Sequence, residues 1–414
     1  MPCPRHAYGN VSIEHDPRPV VVVGAGPVGL SAALALRAAG MTVTILEAEP
    51  ENRVRPGSRA IYVHGSTLQL LERMSPGLGR RLALRGLVWP TRRTLWRGRQ
   101  VFSRTYANRP PSELPHFTSL PQTAVEALLL DACREAEVEI VWAAAVTDLE
   151  PRVDGVRITA GSRRWIADSV VGADGARSAV RRAIGVEMEG SRSANSYVIV
   201  DVAEDATAPL PVERVFHYEH PAVGGRNVLL VPFAGGWRAD LQCNPGDDPE
   251  RFASAEGARE WVANTLGAKY GERVTWVSTY QFLQVVARRF VDTHRRVLLV
   301  GEAAHLFAPF GARGMNSGIA DADAAATAIA AALDTPALAT SAVDAYEAER
   351  HAAAEWNRAA AGEALDHLRA QTLWRRTKRH GAALAAPWWP PAGEWLDTAP
   401  YGPSGGPPAA GTKY

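Results

Sequence analysis

At about 150 residues per domain, the 414 residues leave room for two to three domains and a large buried core, which excludes a small binding module. Lysine and arginine number 45 against 44 aspartates and glutamates, so the formal charge is +1. No global field exists to hold a polyanion, and nucleic acid is excluded as an expected partner. With 46% hydrophobic and 21% charged residues, and no collagen-like glycine period, this is the composition of an ordinary globular chain. Cys3, Cys133 and Cys243 lie far apart in the chain and form no C-x-x-C pair, so neither a disulfide framework nor a metal site is expected. The opening residues lack the apolar stretch of a secretory signal and no spanning run follows, so the expected setting is cytoplasmic, without a membrane partner.

In chain order, Val20 to Val23 reads as a buried strand, followed by a glycine turn and a helix over Val28 to Ala39. Gly40 ends that helix, and Met41 to Glu47 reads as a second strand in a βαβ start. A helix over Val125 to Ala136 precedes a strand over Val138 to Trp142, which argues for α/β layering. From Ser196 to Gln284 the texture changes to strand-like runs broken by Pro, Gly and Asp turns, with one helix near Phe252 to Leu266. These runs predict a mostly antiparallel sheet inserted into the α/β domain. The βα pattern resumes at Arg296 to Val300 and leads into an alanine-rich helix, Ser317 to Leu333. Tyr346 to Thr377 reads as a further helix, within which the basic run from Arg375 reads as a solvated helix end. The chain from Pro387 onward reads as irregular because of its Pro and Gly content, with the last ten or so residues mobile.

The expected fold class is therefore α/β, a Rossmann-like domain with an inserted, mostly antiparallel β-sheet domain and a C-terminal helical segment. The ranges 18–75, 105–190 and 285–340 are assigned to the first domain, and 76–104 and 191–284 to the second. The helical segment takes 341–390, and 391–414 is read as an irregular tail.

Three motifs carry chemistry. Gly24, Gly26 and Gly29 form GAGPVG between strand and helix, with Glu47 eighteen residues beyond the last glycine. The first glycine permits a tight turn, the second lets a pyrophosphate approach the backbone, the third brings helix against sheet, and the carboxylate suits a ribose 2′-hydroxyl. This motif alone does not choose NAD over FAD. The second motif is Ala173-Asp174-Gly175 with Arg177 and Ser178, at the end of a strand-like run. In the third, a buried strand delivers Gly301 and Glu302 to a loop, and the glycine-flanked Gly311 to Gly318 opens a long helix whose N-terminal N–H groups suit an anionic ring.

In this order, the motifs resemble the group A flavoprotein monooxygenases, the class of p-hydroxybenzoate hydroxylase and the phenol and polyketide hydroxylases, over about Pro19 to Ala354. The resemblance implies non-covalent FAD, with Gly24, Gly26 and Gly29 at the pyrophosphate, Glu47 at the adenosine ribose, and Arg59 near the flavin phosphates. Gln122 is implied at the flavin chain, and Asp174, Gly175 and Arg177 in a segment serving both FAD and NAD(P)H. Gly301 and Glu302 are implied at the ribitol, Pro309 at the oxygen pocket, and Gly314, Met315 and Asn316 at the pyrimidine edge. One departure stands out: Glu302 occupies a position where relatives most often have aspartate.

The implied activity uses NADPH or NADH and O2 to hydroxylate a small aromatic substrate, phenolic or polyketide-like, through a flavin C4a-hydroperoxide, with a place in secondary metabolism. Tyr197, His217, Tyr218, Phe233, Trp237 and Gln242 are candidates for the substrate pocket, with core packing the favoured role of Trp237. No catalytic side chain is assigned; His305 is read as a packed or capping residue. An FAD-dependent reductase without oxygen insertion and a non-catalytic FAD-binding protein stand as alternatives, and the oligomeric state is left open.

Overall fold

The structure is a computed structural model that describes residues 20–107, 110, 112–369 and 372–403; Cys3 and most of the tail expected to be mobile lie outside these residues. Its first layer is a five-stranded parallel sheet. Val20–Val23 lies at its centre, flanked by Val43–Leu46 and Ser169–Gly172, with Glu139–Val141 and Val297–Leu299 at the edges. The inner strands are apolar on both faces because helices cover both: Val20, Val21, Ile45, Val170 and Leu298 have no accessible surface. Helix Pro27–Ala38 packs against helices Gln122–Glu135 and Arg313–Asp334 on this sheet. A three-stranded antiparallel sheet, built from Val146–Arg152, Gly155–Ala160 and Arg163–Ala167, joins the same core.

The second layer is an eight-stranded mixed sheet. Its long strands Met188–Ala203 and Val274–Ala287 pair antiparallel, and the sheet continues through Gly236–Gln242, Arg226–Phe233 and Glu213–His220 to Thr91–Trp96 and Arg99–Thr105. Residues alternate between its faces. Val198, Val200, Val202, Trp237, Ala239 and Leu241 form one core with Trp261 and Val262 of helix Ala255–Leu266. Tyr197, Ile199 and Asp201 point to the other face, where Asp201 accepts hydrogen bonds from Ser58 N at 2.5 Å and Ser58 Oγ at 2.7 Å, tying the sheet to the first layer.

Three expectations change. The segment 76–104 does not fall wholly to the second sheet, because helix Leu78–Arg85 buries Leu78 and Leu82 in the first core. The long C-terminal helix ends at Arg369, and Leu373–Ala385 is a separate helix. Beyond it, the region read as irregular holds helix Pro390–Thr398. Its two prolines occupy the first turn, where a missing N–H costs nothing, and Leu396 and Trp395 supply the apolar contacts that hold it.

Candidate functional site

The three glycine motifs meet at the carboxyl ends of the first sheet. At Gly24, φ is +104°, and a β-carbon there would lie 2.6 Å from the Ala173 carbonyl oxygen, so the first motif rests on the second. A β-carbon on Gly29 would overlap the Gly24 carbonyl, and one on Gly318 would lie 2.5 Å from Val28 Cγ2, which fixes the third motif against the first. Gly26 differs: nothing lies within 4 Å of the place its β-carbon would take. Gly314 is open in the same way, in the first turn of helix Arg313–Asp334, where backbone N–H groups have no partner within the helix.

Around the turn, Glu47 is buried and accepts from Ala25 N at 2.5 Å and Glu49 N at 2.9 Å. Arg53, which the sequence reading did not single out, donates to the Ala25 carbonyl at 2.7 Å and brings Nη1 to 3.6 Å from Glu47. That buried Nη1 has no hydrogen-bond partner among the described residues. Its position near Glu47 was hidden because it belongs to no spaced motif. Asp174 receives Ser178 Oγ, Ala179 N at 2.6 Å and Val180 N at 3.0 Å, so its carboxylate caps the helix Ala179–Ala183. Gly175 is open and Arg177 exposed beside it. Arg181, also unforeseen, joins the second and third motifs by donating to Ala176 O at 3.0 Å and Ala303 O at 2.9 Å.

Arg59 is exposed on a loop with φ +55°, and its carbonyl accepts from Arg238. Gln122 sits against this loop: its backbone N–H donates to Ser58 O at 2.8 Å and its side chain to Glu126 at 2.9 Å. Gly301 is buried with φ +58°, while Glu302 and Pro309 are exposed. The side chain of Asn316 is fully engaged, accepting from His64 N at 2.9 Å and donating to Tyr62 O at 2.9 Å and Ala312 O at 2.7 Å. It clamps strand Tyr62–His64 to the helix start, leaving its own backbone and those of Gly314 and Met315 at the helix N-terminus. His305 Nε2 donates to Asp321 at 2.6 Å, and Asp321 also receives Arg350 Nε at 2.7 Å and Gly301 N at 3.1 Å. Burial alone would raise the Asp321 pKa, but the charges of His305 and Arg350 outweigh it and hold it at about 2. This network fixes the loop that presents Glu302.

Two aromatic groups lie near residues 307–312, one reaching them through His64 and the other including Phe310 itself. On one side Tyr62 stacks on Phe117 at 4.7 Å, and Trp89 lies 4.2 Å from Phe117. On the other, Tyr197, Phe282 and Phe310 meet at 4.8 to 5.9 Å. His64 Nε2 lies 3.0 Å from the Gly311 carbonyl between them. The expected pocket residues do not form one group. Tyr197 belongs to the second aromatic group, and the Tyr218 hydroxyl donates to Leu396 O at 2.7 Å beside His367 Nε2 at 2.8 Å. Gln242 accepts from Asn227 at 2.8 Å, and Phe233 lies at the sheet's end beside Gly236. Trp237 and His217 lie on the opposite face: Trp237 is in the core under helix Ala255–Leu266, bonded to Glu204 at 2.7 Å, and His217 pairs with Val228 and Leu95. Strand alternation carries them away from Tyr197. Burial, with His220 and Arg93 nearby, pushes the His217 pKa down to about 3.

A parallel sheet with a glycine turn at its carboxyl end, an acid on the second strand, room at Gly26 and Gly314 and a buried Arg53 nitrogen without a hydrogen bond among the described residues define a dinucleotide-binding protein. The comparisons agree: residues 18–360 match the FAD binding domain family, and the chain belongs to it. It is 32% identical to 6-methylpretetramide 4-monooxygenase of Streptomyces rimosus over 75% of this chain and 55% of that one. With para-nitrophenol 4-monooxygenase of Pseudomonas sp. (strain WBC-3) it shares 29% identity over 80% of this chain and 82% of the relative. The match thus spans only about half the length of the first of these. The crystal structure of p-nitrophenol 4-monooxygenase from Pseudomonas putida DLL-E4 superposes with a TM-score of 0.76 at 25% identity, covering 94% of this chain and 99% of that one. Aklavinone-11 hydroxylase, solved with FAD and aklavinone, has the same fold, with a TM-score of 0.68 at 24% identity over 86% of this chain and 69% of its own. FAD is the cofactor.

Proposed function

We propose that this chain is an FAD-dependent monooxygenase that uses NAD(P)H and O2 to place one oxygen atom in an aromatic substrate, phenolic or polyketide-like. One juxtaposition supports the reading most. The helix start at Gly314 to Asn316 sits beside a loop near which two aromatic groups lie, Tyr62 with Trp89 and Phe117, and Tyr197 with Phe282 and Phe310. Relatives named for para-nitrophenol and for an aromatic compound support the substrate class.

When bound, FAD supplies hydride acceptance and oxygen activation. The chain's own residues bind, orient and keep water out. Backbone N–H groups around Gly26 take the pyrophosphate, and Glu47 with Arg53 holds the ribose end. Glu302, exposed and on a loop braced by Asp321, offers its carboxylate to the ribitol hydroxyls, and Asp174 acts by fixing the turn around Gly175 and Arg177 rather than by direct contact. The N-terminus of helix Arg313–Asp334, with its unpaired N–H groups and partial positive charge, would hold an anionic edge of the flavin. Gln122 and Arg59 steady the neighbouring loop. Aromatic side chains exclude water from the reacting region and hold a flat substrate. The buried Trp89 N–H, without a partner among the described residues, is a donor for a substrate oxygen.

The test is NADH and NADPH oxidation by the purified yellow protein with a panel of phenols, product and peroxide being quantified together. Product formed in step with nicotinamide consumption is expected. Steady oxidation that leaves every phenol unchanged would point instead to a reductase, and bound FAD with no oxidation to a non-catalytic flavoprotein.

A further inference from the structure

The large sheet carries a carboxylate, that of Asp240, on the face turned to the first layer. On strand Met188–Ala203, Tyr197 packs on Phe310 at 5.6 Å and Asp201 binds Ser58, so this face meets the loop of Pro309 at one end and the loop of Arg59 at the other. Ile199 lies midway between them on the same face. Asp240 is directly opposite Ile199, followed across the sheet by Leu229 and Phe216. Residues directly opposite share a face, so Asp240 lies in the row between the two loops. Leu229 and Phe216 pack in one apolar group with Phe310. The sequence reading named Gln242, the next residue on this face of the strand, and did not single out Asp240.

Ile199 and Phe216 are 3% and 4% exposed, whereas the Asp240 side chain keeps 17% of its surface accessible. Its Oδ1 accepts from Arg238 Nε at 2.7 Å, and its Oδ2 receives no hydrogen bond among the described residues. The same guanidinium gives Nη1 to the Arg59 carbonyl and stands beside Asp201, so one positive charge faces two negative ones. Asp201 has both oxygens engaged by Ser58; of the two carboxylates, Asp240 keeps an oxygen open. Further across this face Arg92 and Arg214 are taken up by Asp397, at 2.8 and 3.0 Å. A charged oxygen among apolar neighbours gains most from a bound group that brings an O–H or N–H.

We propose that Asp240 determines which aromatic substrates are taken: its Oδ2 accepts a hydrogen bond from a ring hydroxyl or amino group, and ring donors are preferred to ring ethers and carboxylates. The inference rests on the reading of the chain as an aromatic monooxygenase with its substrate between the two layers. Arg238 is the positioning residue, because it holds Oδ1 and so aims Oδ2. An ether oxygen or a carboxylate in that place would meet Oδ2 lone pair against lone pair, with no proton between them. An amide at this position reverses the choice. In Asp240→Asn only the amide oxygen can accept from Arg238 Nε, which leaves the NH2 group where Oδ2 stood, a donor in place of an acceptor.

The test is titration of the FAD-loaded full chain, without nicotinamide, with 2-naphthol, 2-methoxynaphthalene and 2-naphthoate, binding being read from the flavin absorbance spectrum. The parent is expected to bind 2-naphthol about tenfold or more tightly than either of the others, the value of a hydrogen bond to a charged group. In Asp240→Asn, which keeps the bond from Arg238, the order inverts and 2-naphthoate binds more tightly than 2-naphthol. Should the variant not fold, the parent series decides on its own. Equal or absent binding of 2-naphthol and 2-methoxynaphthalene would overturn the proposal, as would a parent that prefers 2-naphthoate, the result expected if Arg92 or Arg214 set the choice. An equal loss for all three ligands in the variant, the mark of a purely structural carboxylate, would overturn it too. No turnover enters these titrations, so failure to hydroxylate any phenol would remove the monooxygenase reading and leave the ranking of ligands as it stands.

Discussion

Gly26 is the one glycine of the first motif whose β-carbon would meet open space, so a side chain there is harmless to the fold and blocks only what occupies that space. Gly26→Leu is therefore expected to fold with the stability of the parent and to purify without FAD; a yellow variant with full flavin content would remove the pyrophosphate from this turn. Glu302 is tested by alanine. Losing a charged hydrogen bond to the ribitol costs about 1 to 3 kcal/mol, so fluorescence titration should show FAD affinity reduced by roughly fivefold to 150-fold, and an unchanged dissociation constant would mean the longer carboxylate points elsewhere. Asp321 has a pH signature. Its folded-state pKa of about 2 lies below the unfolded value of about 3.9, so its stabilisation is complete above the unfolded value and is lost as pH falls towards 2. Urea unfolding should show Asp321→Asn less stable than the parent at neutral pH, with the gap closing in acid; a gap constant with pH would contradict the assigned ionisation. These residues were legible to different degrees. Gly26 and Glu302 stand in contiguous motifs, whereas Arg53 works through a bond to Ala25, 28 positions away, that no local pattern encodes.

Among the elements, helix Pro390–Thr398 was the least visible in the sequence, because its prolines read as breakers unless they are known to open a helix. What holds it is also non-local. Thr94 donates to Asp397 across 303 positions at 2.7 Å, while Arg92 and Arg214 bring cations to 2.8 and 3.0 Å of the same fully buried carboxylate. Removing it would leave two enclosed guanidinium groups unpaired, and breaking a buried pair costs about 3 to 5 kcal/mol. Asp397→Ala is expected to lower unfolding stability by that order in urea titration; a loss below about 1 kcal/mol would mean that water reaches the arginines. The parallel-sheet strands and their helices were readable because each carries its own periodicity, with boundaries exact for Val20–Val23 and shifted by at most four residues elsewhere. The faces of the large sheet were not, and this is why His217 was grouped with Tyr197, while the core role favoured for Trp237 is the one it has: alternation is visible within a strand, but which face meets the other layer depends on pairing between distant strands.

At the scale of the whole molecule, one dinucleotide fingerprint on one parallel sheet must serve two half-reactions in the proposed mechanism, reduction and oxygen transfer. The loop that holds Arg59 is fastened to the large sheet by Ser58 to Asp201 and leads into strand Tyr62–His64, so we propose that a substrate in the aromatic region biases that loop. Flavin reduction is therefore expected to be slow with NAD(P)H alone and faster with a true substrate, as read by stopped-flow absorbance; equal rates with a substrate that is hydroxylated would remove the gating. The α/β fold with its inserted sheet and the order of its motifs were readable from the sequence, while the docking of the C-terminal helices on the sheet depended on contacts that no motif records. The most direct measurement of the central claim is mass spectrometry of the product formed from an accepted phenol under 18O-labelled O2 in ordinary water. Monooxygenation predicts one labelled atom per product molecule, consumed with one equivalent of NAD(P)H. Product carrying only unlabelled oxygen, or nicotinamide oxidation with the phenol recovered intact, would contradict it.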